Sequence, residues 1–367
     1  MIKGNFDIPL DFLSTSTPPM IGVDISSSSV KMVELSEAPK KAGHYIVERY
    51  AIEALPQDAV TDGNINDLDA VSDALRNAWK RMGTRVKNVS LALPAAAVIS
   101  KRILLPSGMR DDELEAQVEM EANQYIPFAL EEVNLDFQVI GPAPSNPEEI
   151  EVLLAASRKA NVEDRVAAAQ AAGLKTIVVD VEPYAAEAAF EQIRVQLPGD
   201  PTDQCVALID IGANVMNVNV IRNGQSVYTR DQQIGGAQLT QMIQNAFGLS
   251  AQDAEAAKRN GGLPANYESD VLIPYRESVA TEITRALQFF FTSTPYNEVN
   301  YIVLAGGCAS LSGLDDAVAS RTQVSTLLAN PFAQMSLSSR IKQRQLQADA
   351  PALMIACGLA MRRFDPS

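Results

Sequence analysis

Met20-Ile21-Gly22-Val23-Asp24-Ile25-Ser26-Ser27-Ser28-Ser29-Val30-Lys31-Met32-Val33-Glu34-Leu35 is the stretch that decides how this chain is read. Two short apolar, β-branched runs flank a four-serine turn, which reads as strand, reversal, strand. Small residues in such a turn leave backbone N–H groups open to an anion. The hydroxyls of Ser26, Ser27 and Ser28 add donors, and Lys31 adds a full positive charge. Asp24 would repel a phosphate unless it holds Mg²⁺, which prefers hard oxygen ligands and keeps much of its water.

The pattern returns downstream in Val206-Ala207-Leu208-Ile209-Asp210-Ile211-Gly212-Ala213-Asn214-Val215, where Gly212 allows close backbone approach. Either turn alone also reads as an ordinary β-turn capped by Asp and Ser. Two of them in matched strand contexts favour phosphate binding, with two hairpins closing on one triphosphate. A third turn, Ala305-Gly306-Gly307-Cys308, would let a base or a phosphate lie against backbone, although tight strand–helix packing also needs glycine. Glu255 and Lys258 stand i, i+3 on an expected helix, placed either for ribose hydroxyls or for a surface ion pair.

The rest of the chain repeats one unit, an Asp-ending strand, a tight turn, two more strands and a helix. In the first copy, strands at 20–24, 29–35 and 45–52 precede an amphipathic helix over 67–82 that stops before Gly83, then a strand over 89–93. Residues 97–172 carry a smaller β-α-β-β-α theme, with Gly141 to Pro147 between its second and third strands and an Ala-rich helix stopped by Gly173. A strand at 177–180 and a helix over 183–194 resume the first pattern, and Pro198-Gly199-Asp200-Pro201 reads as a linker. The second copy has strands at 206–210, 215–221 and 226–232. Helices follow at 236–247, 252–260 and 275–292, then a buried strand over 301–305 and a helix near 351–363. Residues 1–19 read as an arm, in which Phe6, Ile8, Leu10 and Phe12 alternate as in a strand.

Composition narrows the function. With a net charge of −15, general nucleic-acid or anionic-membrane binding is disfavoured. Cys205, Cys308 and Cys357 stand far apart and His44 is the single histidine, in an expected surface turn, so neither a zinc site nor a Cys–His nucleophile is supported. No apolar run approaches the ~18 residues needed to span a bilayer. A cytoplasmic protein is expected, with any membrane association made through a partner.

In order along the chain, Asp24 to Lys31, Val181-Glu182-Pro183, Asp210-x-Gly212 and Ala305-Gly306-Gly307 resemble the phosphate 1, connect 1, phosphate 2 and adenosine motifs of the actin/Hsp70/sugar-kinase superfamily. The inserted module sits where the cell-division protein FtsA carries its extra subdomain. Glu121-Ala122-Asn123-Gln124-Tyr125-Ile126-Pro127-Phe128-Ala129-Leu130-Glu131-Glu132-Val133 and Leu154-Ala155-Ala156-Ser157-Arg158-Lys159 look more closely like the PilM family of type IV pilus assembly proteins. The resemblance implies an α/β, two-lobed actin-like ATPase fold (a duplicated ribonuclease-H-like unit) with an FtsA-like inserted subdomain. The expected divisions are an arm over 1–19, a first lobe over 20–96 and 174–200, and an insert over 97–173. A second lobe takes 201–235 and 300–367, and a helical subdomain 236–299.

It further implies ATP and Mg²⁺ as ligands, with Asp24 and Asp210 in the metal shell. Ser26, Ser27, Ser28, Lys31, Gly212 and Asn214 would hold phosphates, and Gly235, Gly236, Glu255, Lys258, Gly306 and Gly307 would surround the nucleoside. Glu182 would orient a hydrolytic water, or serve only as a carboxylate at a helix N-terminus; weak or absent ATPase activity is expected. The implied partners are the cytoplasmic N-terminal tail of PilN, bound in a cleft beside the insert, and the pilus motor ATPases. Two departures stand out: Ser26 replaces the usual glycine, and Met216 stands where a threonine is common. An FtsA-like cytoskeletal ATPase and a sugar kinase share the fold and are the rival readings.

Overall fold

The computed structural model describes residues 18–38, 43–143, 146–199 and 203–365. The expected strand at Phe6 to Phe12 and the Asp200-Pro201 half of the linker lie outside the described residues, as do Lys40 and Lys41; His44 is exposed. The chain divides into two compact units. One comprises residues up to Leu35, Tyr50–Ala185 and those from Leu359; the other comprises Ser36–Arg49 and Ala186–Gly358.

Along the chain, β1 (Ile21–Ile25) turns into β2 (Ser29–Glu37), and β3 (Tyr45–Ala54) follows. A small hairpin, β4 (Val60–Thr61) and β5 (Asn64–Ile65), leads to α1 (Leu68–Met82). Asp67 caps α1 by accepting from the Ala70 amide, and Gly83 ends it in the left-handed conformation at φ 62°. Val71, Ala74, Leu75, Ala78 and Met82 form its buried stripe. Then come β6 (Asn88–Leu93), β7 (Ile99–Pro106), α2 (Asp111–Tyr125), β8 (Val133–Ala143), β9 (Asn146–Arg158), α3 (Lys159–Ala171), β10 (Lys175–Val181) and α4 (Glu182–Arg194). The main sheet runs β10-β6-β1-β2-β3, with β1 antiparallel to β2 and parallel to β6.

The insert is a three-stranded antiparallel sheet, β7-β9-β8, closed on one face by α2 through Ile103, Leu105, Leu114, Val118, Ala122, Val152 and Leu154. Gly141 and Pro142, expected in a loop, stay in the ladder, because β8 is an edge strand where a missing N–H costs no bond. Helix α3 lies within the range expected for the insert, 97–173. Its Ala168 and Ala169, with the following Ala172, pack in the core of the main sheet beside Val71, Ala74, Leu75 and Ala78. Small side chains on both helices permit that close approach, and α2 already covers the insert's apolar face.

The second unit has β11 (Cys205–Ile211), β12 (Met216–Arg222) and β13 (Gln225–Gln232), then α5 (Gly236–Phe247), α6 (Ala251–Asn260) and α7 (Ile273–Ser293), the last entered through a π-turn at Glu268–Leu272. The β12–β13 turn holds Asn223 and Gly224 at φ 51° and 73°, the conformation a two-residue hairpin prefers. Next are β14 (Tyr301–Ala305), α8 (Leu314–Thr322), β15 (Ser325–Leu328), β16 (Ser336–Leu337), α9 (Gln343–Asp349) and, after a 3₁₀ turn at Ala350–Leu353, α10 (Met354–Met361). β16 pairs in parallel with Ile46 and Val47 of β3, which belong to the same unit. The second sheet runs β13-β12-β11-β14-β15, with β11 antiparallel to β12 and parallel to β14. Counted outward from the Asp-ended strand, its order matches β3-β2-β1-β6-β10, so the internal repeat is a repeat of topology.

Packing of α3 on α1 is open to test. Ala168→Leu forces extra methylenes into a closed contact and should cost about 1–3 kcal/mol in urea unfolding. Met120→Ser, on the exposed face of α2, should leave the midpoint in place. Equal midpoints for both would put α3 outside this core.

Candidate functional site

The two Asp-ended hairpins share one backbone geometry. Asp24 faces Lys31 and Ile25 faces Val30 across the first; Asp210 faces Asn217 and Ile211 faces Met216 across the second. Each reversal is closed by an amide bonding three residues ahead, Ser26 N to Ser29 O at 3.1 Å and Gly212 N to Val215 O at 3.0 Å. No hydrogen bond among the described residues engages the amides of Ser27, Ser28, Ala213 or Asn214, so both turns present donors that suit phosphate oxygens.

Side chains hold the first turn. Lys31 Nζ donates to Asp24 Oδ2 at 2.7 Å and to Ser26 Oγ at 3.1 Å. Ser26 Oγ donates to Ser29 O at 2.9 Å, so its proton is spent inside the turn, leaving Ser27 and Ser28 to supply hydroxyl donors. Asp24 and Lys31 are only 5% and 8% exposed.

Backbone holds the second turn. Gly236 N and Ala237 N, at the start of α5, donate to Gly212 O at 3.0 Å and Ala213 O at 2.8 Å, and Cys308 N donates to Ile211 O at 3.1 Å. Glycine is needed for this approach: a Cβ on Gly235 would lie 2.5 Å from Ala213 O, and one on Gly306 2.6 Å from Asp210 Oδ1. A Cβ on Gly236 would meet Cys308 Sγ at 2.5 Å, whereas one on Gly307 would meet nothing. Of the four glycines expected around a nucleoside, three therefore pack against this unit's own turn or thiol, and Gly307 faces open space. Asn217, in the place of Lys31, donates instead to Asp231 at 2.5 Å.

Lys258 Nζ reaches back from α6 to Glu255 Oε2 at 2.6 Å, Thr240 Oγ1 at 2.8 Å and Gly236 O at 3.1 Å, and Thr240 Oγ1 donates to Glu255 at 2.6 Å. The Glu255–Lys258 pair is thus a half-buried brace at the N-terminus of α5. Burial alone would raise the Glu255 pKa, but hydrogen bonds from Lys258 and Thr240 and the Lys258 charge outweigh it and bring it to about 2. Glu182 is the half-buried first residue of α4.

Sequence reasoning passed over two residues. Arg165 on α3 is 2% exposed and donates to Ala92 O at 2.9 Å and Gly63 O at 2.7 Å. Burial lowers its pKa, while Glu182, Asp164 and Asp24 work against that shift. Its signal was a lone arginine at i−3, i−4 and i−7 from the buried Ala168, Ala169 and Ala172. Cys308 donates its thiol to Gly212 O at 3.3 Å, and burial raises its pKa to about 11, keeping it a neutral thiol.

Taken separately, each turn fits phosphate oxygens, the first with open amides and Lys31, the second with open amides and glycine-lined backbone. Among the described residues no cluster of three or more His, Cys, Asp or Glu could hold a metal. A cation there would rest on water and phosphate with single carboxylates, as suits Mg²⁺. Asp210, at the end of β11, fits that role; Asp24, 2.7 Å from an ammonium, fits it poorly.

The family described as type IV pilus assembly protein PilM matches residues 22–364. The chain belongs to the PilM family. It is 29% identical to a protein of a PilM–PilN type IV pilus biogenesis complex, with a TM-score of 0.79 over 95% of this chain and 100% of that one. It is 24% identical to the cell division protein FtsA of Bacillus subtilis (strain 168) over 265 residues, which is 66% of this chain but only 58% of FtsA, little more than half the length of that relative. MreB5 of Spiroplasma citri shares the fold, with a TM-score of 0.50 at 15% identity over 95% of this chain and 99% of that one. The actin-like ATPase fold expected from the PilM resemblance is therefore the fold found. Among the described residues no helix is long and apolar enough to cross a membrane.

Two measurements test this geometry. Gly306→Ala, at φ +88° and against Asp210, should cost about 1–3 kcal/mol of stability. Gly307→Ala should stay within about 0.5 kcal/mol of the parent; equal effects would refute the close approach at Gly306. The depressed pKa of Glu255 adds stability that is complete above its unfolded pKa, about 4.3. That stability is lost as pH falls towards about 2. The stability gap between the parent and Glu255→Gln should be flat from pH 7 to 5 and narrow below pH 4.5; a gap independent of pH would contradict the brace.

Proposed function

We propose that this protein is an ATP-binding adaptor of the type IV pilus inner-membrane assembly platform. It binds the cytoplasmic tail of PilN and links that platform to the motor ATPases. The likeness over nearly the whole chain to a protein of a PilM–PilN complex carries this reading. The nucleotide half is supported by the two hairpins of equal register. Within the first unit Ser27, Ser28 and Lys31 suit phosphate oxygens, and within the second the amides of Ala213 and Asn214 do, with Gly212 closing that turn. Asp210 contributes to the water shell of Mg²⁺, the ion that neutralises phosphate charge when bound. Glu255 and Lys258 brace the helix start beside the second hairpin, and Gly307 leaves room for the nucleoside.

The peptide's seat is the seam where the insert meets the main sheet of the first unit. A cleft of only about 20 Å³ there, lined by Val98, Ala155, Val179, Val181 and Tyr184, would take a side-chain tip and leave the peptide backbone on the surface. Asp180, also in its lining, is already paired with Arg362 at 2.5 Å, so the apolar side chains are what suit a short peptide with apolar anchors. Nucleotide serves as a retained ligand, with Glu182 as a carboxylate at the N-terminus of α4, interacting electrostatically with buried Arg165. Attachment to the inner membrane comes through PilN.

Titration of Mg²⁺–ATP, with and without a peptide copied from the PilN tail, tests both halves. Saturable binding of each is expected, and Tyr184→Ala should weaken the peptide about tenfold or more, as loss of an aromatic anchor does. No peptide binding in either nucleotide state would refute the adaptor reading. No nucleotide binding would refute the nucleotide half alone.

A further inference from the structure

The two hairpins match in backbone but not in charge. Seven residues after the aspartate stands Lys31 in one and Asn217 in the other. Lys31 Nζ is held between Asp24 Oδ2 at 2.7 Å and Ser26 Oγ at 3.1 Å, and the Ser26 hydroxyl is itself aimed by its bond to Ser29 O. Asp24 and Lys31 are almost wholly buried, so neither swings freely into solvent. A divalent cation in the water shell of Asp24 would lie within a few ångströms of this ammonium, where like charges repel strongly at low dielectric. A phosphate there would instead meet a positive charge already fixed in place.

We infer that Asp24 and Ser26 are positioning residues for Lys31, making the first hairpin a lysine-charged phosphate grip, and that Asp24 does not hold the metal. The serine at 26 has a use on this account: a glycine there would remove the hydroxyl that accepts from the ammonium at 3.1 Å. The inference rests on the nucleotide-binding reading above and separates the two aspartates by role. Asp24 acts on the phosphate through Lys31, whereas the metal's contribution lies with Asp210.

The test is equilibrium binding of ATP to the full chain, in excess EDTA and in excess Mg²⁺, for the parent, Asp24→Asn, Ser26→Gly, Lys31→Met and Asp210→Asn. Thermal melts confirm that each variant is folded. Asp24→Asn and Lys31→Met should each weaken binding about 10- to 100-fold, as loss of a charge-assisted contact does. The factor should be the same in EDTA and in Mg²⁺, so the affinity ratio between the two conditions stays at the parent value. Ser26→Gly should weaken binding less, about 2- to 5-fold, again equally in both, as loss of one neutral hydrogen bond does. Asp210→Asn should lose the Mg²⁺ benefit and leave binding in EDTA near the parent's.

An Asp24→Asn protein that binds normally in EDTA but gains nothing from Mg²⁺ would overturn the inference and restore Asp24 as a metal holder. Unchanged binding in Lys31→Met would overturn it as well. If Asp24→Asn fails to fold, Ser26→Gly and Lys31→Met decide by the same ratio. A parent that binds no ATP in either condition refutes the nucleotide reading, and this inference falls with it.

Discussion

Each Asp-ended strand reverses within four residues by one amide-to-carbonyl bond, Ser26 to Ser29 in one unit and Gly212 to Val215 in the other. Everything proposed for the site depends on that constraint. It sets an aspartate at the last paired positions of a buried strand and leaves the next two amides without an internal acceptor. The parallel neighbour of each strand, β6 or β14, ends at the same edge and delivers further groups to it: Ala92 O, bonded by Arg165, in one case, and Gly306 with Cys308 in the other. Strand order around the two hairpins is the same because a right-handed crossover back to the sheet places the following parallel strand on that side.

The two copies reach the same backbone shape by different means. Side chains stabilise the first, through the Lys31, Asp24 and Ser26 cluster. The second relies on backbone, with amides from the start of α5 and the end of β14 closing on the turn's carbonyls. That choice accounts for residue type at each position. Where backbone meets backbone, Gly235 and Gly306 are required; where a lysine must be held, Ser26 is preferred to glycine. A duplicated fold has in this way acquired one hairpin held by a buried ion pair and one held by backbone.

Much of this was legible in the sequence, because Asp-ended apolar strands, serine and glycine turns and a 3.6-residue stripe on α1 are local signals. Helix α5 begins at Gly236 and β14 spans Tyr301–Ala305, as their patterns require. What escaped was decided by tertiary packing. Alanine stripes do not say which sheet they cover, and Ala168 and Ala169 of α3 pack on α1. Pro142 reads as a loop residue unless β8 is known to be an edge. Strands as short as Ser336–Leu337 carry no periodicity at all. At the site, residue type pointed to Asp24, Lys31 and Ser26 together, but their mutual bonds, which redirect the Ser26 hydroxyl and the Asp24 carboxylate, exist only in three dimensions. Arg165 and Cys308 were missed for the same reason.

The central claim is that both hairpins are phosphate-holding elements of one ATP-binding protein. Hydrogen–deuterium exchange with and without Mg²⁺–ATP tests it most directly, because the amides of Ser27, Ser28, Ala213 and Asn214 have no acceptor within the turns. The account predicts that all four gain protection on nucleotide addition, in both hairpins and over the same concentration range. Protection confined to one hairpin, or to neither while ATP is bound, would contradict it.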